Sequence, residues 1–451
     1  MEEAERLRGV IKDCVHCGFC LPACPTYQLW AEEMDSPRGR IYLIGQLLEG
    51  AELTPAAAEH FDRCLGCMAC MTACPSGVQY DQLIEAARVW TEDARSEPVP
   101  AVSASSGSAS SAGRAARLRE RAERAAIFAL FPYPKRLRAA IGPLRTVQRT
   151  GLDRKLARSS LPGRLSPTLG AALKLAPPPP APAGRLPERV AARGPRRAVV
   201  GMLTGCVQSV FFPQVNAATA RVLAMEGCDV LIPRGQGCCG ALSMHAGRQA
   251  EAMNFARQTI ETFEQAGVDA IVVNSAGCGS AMKEYERLLG RDGQDPSWAG
   301  RAAALSARVR DLSEFLADLG PVAPRHPLPV TAAYHDACHL GHAQRITRQP
   351  RDLLRAIPEL RLVELPDAGT CCGSAGVYNL LQPEAAAELG ARKAQSVLDA
   401  GAPLLISANP GCTLQIAAAL ADRGEHVSVA HTAEILDASL RGLPPPVAAP
   451  R

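Results

Sequence analysis

Sixteen of the 17 cysteines stand in repeated patterns, and the first pattern reads as a set of metal thiolates. Cys14-x2-Cys17-x2-Cys20-x3-Cys24-Pro25 recurs as Cys64-x2-Cys67-x2-Cys70-x3-Cys74-Pro75. Three thiolates at intervals of three, on a loop that folds around one centre, can bind three of its metals. The chain then turns into a helix, so the fourth thiolate points away. Such runs ligate [4Fe–4S] clusters, and the fourth cysteine of each run serves the other cluster. By that rule one cluster takes Cys14, Cys17, Cys20 and Cys74, and the other takes Cys64, Cys67, Cys70 and Cys24. Four thiolates also suit zinc, but zinc sites show paired cysteine knuckles rather than this run twice. Gly18 and Gly66 allow close backbone approach, and backbone N–H groups can then tune a cluster's potential.

The second pattern lies further along. Cys206, Cys238-Cys239-Gly240 and Cys278 form one set; Cys338, Cys371-Cys372-Gly373 and Cys412 form another. Equivalent cysteines are offset by 132 to 134 residues, which marks an internal repeat. Two adjacent cysteines cannot share one side of a strand, but from a loop both can reach one centre. These eight are candidate metal ligands. A four-cysteine iron–sulfur cluster, zinc, and a metal-free thiol-rich interface or redox surface all stay open.

Other signals carry less. Gly235-Gln-Gly237-Cys-Cys-Gly240 matches a dinucleotide-binding fingerprint, but the sister copy lacks its spacing. His335, His339 and His342 flank Cys338 without counterparts in the first set, and are read as structural. Cys228 opens an apolar run and reads as a buried small hydrophobe. No Walker A sequence occurs.

The elements that must position these residues divide the 451-residue chain. Residues 1–92 carry both cysteine runs among helical-looking segments, including PRGRIYLIGQLLEG and PAAAEHFDR in the 39 residues between the runs. Residues 93–195 form a Ser/Ala/Pro-rich linker followed by a basic, helical connector. Its stretch AIFALFPYPKRLRAAI is either a surface helix for a membrane or partner, or a connector that packs on its own protein. From 196 onward, apolar runs of strand length (AVVGMLTG, CDVLIP, AIVVNS, then TAAYHD, RLVELP, PLLISAN, HVSVAH) alternate with helical segments. That alternation predicts parallel βαβ units. The fold class is therefore α/β with an N-terminal α-helical domain: two repeated Rossmann-like units over 196–322 and 328–442, and a disordered tail over 443–451.

Composition excludes several classes. Aromatic residues are 4% and net charge is +4, which argues against a nucleic-acid reader. The acidic start MEEAERLRGV has no apolar h-region, and no apolar stretch is long enough to span a bilayer. Clustered cysteines in a cytoplasmic protein are metal ligands or redox groups.

The stretches CVHCGFCLPACPTYQLWAEEMDSPRGRIYLI (14–44) and RCLGCMACMTACPSGVQYDQLI (63–84) resemble the iron–sulfur subunits of bacterial glycolate oxidases. The first domain resembles the α-helical ferredoxin domain. The repeated units resemble the cysteine-rich CCG domain of heterodisulfide reductase subunits, whose pattern closes with C-x-x-C. Here Ala281 and Gln415 occupy the closing positions, so a five-cysteine noncubane cluster does not follow. The resemblance implies an electron-transfer subunit that is not catalytic alone, with FAD-binding partner subunits that oxidise glycolate to glyoxylate. It implies electron delivery to a quinone or another acceptor, at the inner face of the cell membrane. Arg38 and Arg40 lie in the family's PRGR signature and would contact a partner or raise a cluster's potential, with surface salt-bridging as the ordinary alternative. Related lactate and glycerol-3-phosphate dehydrogenase subunits share the layout. A heterodisulfide-reductase-like thiol enzyme and a non-catalytic metal-binding scaffold are the alternatives from other classes.

Overall fold

The computed structural model describes residues 2–96, 111–150, 159, 161–177, 184–290 and 295–447. Residues 97–110 of the expected linker and 448–451 of the expected tail lie outside the described residues.

The N-terminal part is helical. Helices Glu2–Lys12, Pro37–Leu48, Pro55–Arg63 and Tyr80–Ser96 pack around Leu7, Ile44, Phe61, Leu83 and Ile84, all fully buried. Two helix starts explain why the segment between the cysteine runs folds as it does. Ser36 Oγ accepts from Gly39 N–H at 3.0 Å and Thr54 Oγ1 from Ala57 N–H at 3.2 Å, with Pro37 and Pro55 in the first turn.

Two parallel sheets follow. The first holds β1 (Arg189–Val190), β2 (Ala198–Met202), β3 (Cys228–Leu231), β4 (Ala270–Val273) and β5 (Val309–Asp311), in the order β1-β3-β2-β4-β5. The second holds β6 (Val330–His335), β7 (Leu360–Glu364), β8 (Leu404–Ser407) and β9 (Ser428–Ala430), in the order β7-β6-β8-β9. All pairings are parallel except the antiparallel β1 edge. Each of the seven apolar runs overlaps one strand. The sequence reading missed β1 and β5, which are two and three residues long and carry no apolar run.

The two sheets share a core. Val200, Val230, Leu312 and Leu316 of the first unit pack in one cluster with Ala332, Leu404 and Leu436 of the second. Helix Pro213–Met225 lies on helix Thr432–Arg441, where Arg221 grips Asp437 with two bonds of 2.9 and 2.6 Å. Helix Leu312–Leu319 packs reciprocally on helix Arg348–Arg355. Repeats joined this way cannot move independently without opening apolar surface.

The connector helices Ser111–Leu130 and Pro134–Arg149 bury Ile127, Phe128, Leu137 and Ile141 against Val377, Leu380 and Val210. These four apolar side chains therefore face the protein itself, whereas Leu118 of the first helix is exposed. Among the described residues no helix is long and apolar enough to cross a membrane.

Candidate metal centres

The two cysteine runs fold alike. In the first, His16 and Gly18 take left-handed backbone angles, with φ of 54° and 84°; in the second, Gly66 and Met68 do so at the same positions, with φ of 64° and 60°. Matching turns follow. Leu21 N–H donates to Gly18 O and Cys24 N–H to Leu21 O; Met71 N–H donates to Met68 O and Cys74 N–H to Met71 O. Left-handed residues at these two points wrap the loop so that its thiols converge.

The convergence produces two adjoining recesses. One is lined by Cys14, Cys17, Cys20 and Cys74. The other is lined by Cys24, Cys64, Cys67 and Cys70. Cys70, Pro37 and Tyr80 line both, so one wall separates them. Each run thus sends its fourth cysteine to the other run's recess. The first recess opens near the surface, where Val15 and Phe19 are 68% and 67% exposed.

Electrostatics distinguish the thiols. Burial pushes Cys67 and Cys70 well above the ordinary thiol value, and Cys20 up to about 11. Burial also opposes ionisation of Cys64, but the Arg40 and Arg88 guanidiniums overcome it and leave that thiol below its ordinary value. Its sulfur accepts from Gly66 N–H at 3.4 Å and Tyr80 O–H at 3.6 Å. Cys20, Cys67 and Cys70, which burial holds neutral, lose their protons when a cationic centre arrives, so the donor set fits iron–sulfur ligation.

Arg40 is not at the surface. It is 1% exposed and donates to the Asp35 carbonyl at 2.6 Å and the His60 carbonyl at 2.6 Å, and pairs with the Asp35 carboxylate at 3.2 Å. Asp35 also meets His60 and Arg63, each at 2.9 Å. Neither partner contact nor surface salt-bridging describes Arg40; it is an internal charge beside the second recess. Arg38 lines the first recess, pairs with Glu33 at 2.6 Å and crowds Gly18.

In the repeated units, each cysteine set gathers as one group at strand ends. Cys206 Sγ lies 3.6 Å from Cys238 Sγ, and Cys239 accepts from Cys238 and Cys278, which holds its thiol well below the ordinary value. In the second unit Cys338 touches Cys371, Cys371 touches Cys372, and Cys372 touches Cys412. Gly240 and Gly373 have φ of 83° and 88°, and a Cβ on either would strike a neighbouring helix at Ala252 or Ala386. That packing accounts for the glycine of the fingerprint-like match. At the closing positions Ala281 is buried, and Gln415 donates to Ala386 O at 2.8 Å and accepts from Asn379 at 3.0 Å. Cys228 is fully buried at the start of β3, as a small hydrophobe.

The second recess abuts the second repeat. Leu65, Cys67 and Ala69 pack with Cys371, Tyr378 and Leu389, and Cys338 borders the same cluster. His339 donates to the Gly66 carbonyl at 3.0 Å, and His342 Nδ1 lies 3.0 Å from Thr72 Oγ1. These two histidines are structural, as the sequence reading holds, and their task is to clamp two domains together. His335 is a different case: it lies with Cys372 and Cys412, all three buried, with ligand atoms within 4.8 Å of one another. The sequence reading missed this grouping. The available signal was that His335 stands where the first repeat, 132 residues earlier, has Leu203.

Comparison with known proteins agrees with this geometry. The 4Fe-4S dicluster domain matches residues 10–78, and the cysteine-rich domain matches residues 200–283 and 332–417. The linker region of the glycolate oxidase iron-sulfur subunit matches residues 119–176. A probable glycolate oxidase iron-sulfur subunit of Bacillus subtilis (strain 168) is 35% identical, covering 96% of this chain and 95% of that protein. The glycolate oxidase iron-sulfur subunit of Escherichia coli (strain K12) is also 35% identical over the same shares. Lactate utilization protein A of Exiguobacterium sp. (strain ATCC BAA-1283 / AT1b) is 32% identical over 54% of this chain and 98% of its own length. With both cysteine domains and the linker matched and near full-length similarity, this chain belongs to the family of glycolate oxidase iron–sulfur subunits, electron-transfer components of oxidoreductase complexes.

Proposed function

We propose that the chain takes electrons from an FAD-containing partner that oxidises glycolate to glyoxylate, and passes them to a quinone or another acceptor. The observation that carries this reading is the line of adjoining thiol groups: the first recess shares a wall with the second, and the second abuts Cys338 and Cys371. Cys14, Cys17, Cys20 and Cys74 would hold one [4Fe–4S] cluster, and Cys24, Cys64, Cys67 and Cys70 the other. When bound, such clusters supply one-electron redox chemistry, which splits the electron pair of a flavin.

The chain's own residues have definable tasks in this scheme. Gly66 N–H and Tyr80 O–H donate to Cys64 sulfur and so favour its anionic form. Arg40 and Arg88 offset the charge of the second thiolate set. Val15 and Phe19 offer apolar contact at the rim of the first recess, which is where a flavoprotein would dock. Reduced thiols in this number suit the cytoplasm, and a quinone acceptor would bring the complex to the inner membrane face.

Glycolate is preferred over lactate because the lactate-utilisation relative matches 54% of this chain, whereas the glycolate oxidase subunits match 96%. Thiol–disulfide catalysis is disfavoured because Ala281 and Gln415 supply no fifth thiol. The test is stopped-flow absorbance on the complex assembled with its flavin subunits. Cys67→Ala should stop electron flow to the acceptor while flavin reduction by glycolate proceeds. Collapse of flavin reduction in a properly assembled variant, or turnover of glycolate by the isolated chain, contradicts the reading.

A further inference from the structure

Charge is spread unevenly along the chain. Residues 111–176, which take in the matched linker region, hold 15 basic and 3 acidic residues, a net charge of +12. The whole chain carries +4, so everything outside that stretch amounts to −8. Helix Pro134–Arg149 is the extreme case: it holds Lys135, Arg136, Arg138, Arg145 and Arg149 and no acid.

The structure turns part of this charge outward. Leu137 and Ile141 pack against Val210, while Lys135, Arg136 and Arg138 are exposed. The partners of the two arginines are neutral. Arg136 donates to the Ala129 carbonyl at 3.0 Å and covers the Tyr133 ring, and Arg138 donates to the Ser209 hydroxyl at 3.4 Å. Among the described residues no carboxylate pairs with these three cations or with the exposed Arg164. Cations of the repeats differ: Arg221 is held by Asp437, and Arg351 by Asp336 and Glu364. Like charges gathered without internal partners repel one another and attract an external anion.

Apolar side chains stand on the same connector. Leu118, Leu161 and Leu169 are 67%, 57% and 45% exposed. Glu123 accepts from the Ser166 and Thr168 hydroxyls at 2.8 and 2.9 Å, which seats helix Pro167–Leu175 beside helix Ser111–Leu130. Helix Leu161–Leu165 packs on helix Pro167–Leu175, and Gln148 donates to the Pro177 carbonyl at 2.8 Å, so helix Pro134–Arg149 is tied to the same group.

We propose that this connector is a lipid-binding surface that docks on an anionic bilayer. Its lysine and arginine side chains bind phosphate headgroups, and its exposed leucines enter the acyl boundary. The acidic remainder of the chain is repelled by the same bilayer, which orients the molecule connector-first. The exposed apolar side chains are leucines rather than aromatics, which favours lipid over single-stranded nucleic acid, whose bases stack on rings. The inference deepens the membrane-face location proposed above. Its test needs neither flavin subunits nor quinone, so the two readings fail separately.

The test uses the full chain, purified anaerobically, in sedimentation with vesicles. Vesicles of phosphatidylcholine with about 30% phosphatidylglycerol should bind the chain at least about tenfold more tightly than phosphatidylcholine alone, and salt should weaken the binding. Reversing Lys135→Glu, Arg136→Glu and Arg138→Glu together should lower that affinity at least about tenfold, with iron content and thermal unfolding unchanged. The same charge change in the second repeat, Arg348→Glu with Arg355→Glu and Arg392→Glu, should leave most of the binding in place. Leu161→Asn with Leu169→Asn should weaken the binding that persists at high salt. Three results would overturn the proposal: no preference for anionic vesicles, equal losses in the two charge-reversed proteins, or displacement from anionic vesicles by single-stranded DNA at equal phosphate concentration.

Discussion

Nε2 of His339 donates to the backbone carbonyl of Gly66 across 3.0 Å, joining the second repeat to the loop between Cys64 and Cys67. The same glycine turns its N–H to Cys64 sulfur at 3.4 Å. One residue is thus held from both sides, by a thiol of its own loop and by a histidine 273 positions away. His339→Ala should cost about 1–3 kcal/mol by leaving a buried carbonyl unpaired. His339→Gln, which keeps a donor, should recover part of that loss. Urea unfolding midpoints of the three proteins check the order.

The Asp35–Arg40 pair lies wholly inside the N-terminal domain, at 0% and 1% exposure. Removing one partner strands the other charge. Asp35→Ala is expected to destabilise the domain by about 3–5 kcal/mol, far more than an exposed pair such as Lys174–Asp422 would lose. Thermal unfolding of Asp35→Ala beside Asp422→Ala provides the comparison; equal effects would contradict the burial argument.

His431 caps helix Thr432–Arg441 as a neutral ring. Its Nδ1 accepts from Ala433 N–H at 3.0 Å, and its Nε2–H donates to Asn274 O at 2.8 Å. Burial lowers its pKa to about 4. Unfolded histidine titrates near 6.5, so between these values the unfolded chain binds more protons than the folded one. Stability from this group is complete above about pH 6.5 and is lost as pH falls towards 4, by up to about 1.4 kcal/mol per pH unit. Glu434, whose pKa burial raises, acts in the opposite direction. His431→Asn retains a good cap without titrating. Unfolding midpoints of the two proteins between pH 7.5 and 5 should diverge with that slope.

Cys24 lines the recess of Cys64, Cys67 and Cys70 rather than that of its own run. Cys24→Ser should therefore perturb the cluster of the second run. Resolved electron paramagnetic resonance signals of the reduced protein tell the two apart. Loss confined to the cluster of Cys14, Cys17 and Cys20 contradicts the exchanged grouping.

Much of this arrangement is legible in the residues alone, because thiolate spacing is a geometric code. Runs with intervals of two, two and three residues admit few loop shapes, and glycine at 18 and 66 marks where those loops reverse. The strand runs were legible because buried parallel strands are apolar on both faces. The parts that escaped are those set by tertiary contact. Arg40 reads as a partner contact, a charge beside a cluster or a surface ion pair alike, since nothing local announces that Asp35, Thr26 and the His60 carbonyl enclose it. β5 has three residues, Val309–Asp311, and only pairing with β4 makes it a strand. His335 reads as one of three similar histidines, although His339 and His342 face the N-terminal domain while His335 faces Cys372 and Cys412.

The central claim is that the N-terminal domain holds two neighbouring iron–sulfur clusters able to exchange electrons singly. Iron and acid-labile sulfide should be measured on anaerobically purified protein, together with its electron paramagnetic resonance spectrum after reduction. At least about eight irons per chain are expected, with two reduced signals that broaden one another because Cys70 and Tyr80 line both recesses. Zinc in the place of that iron, with no sulfur-to-iron charge-transfer absorption and no reducible signal, would contradict the account.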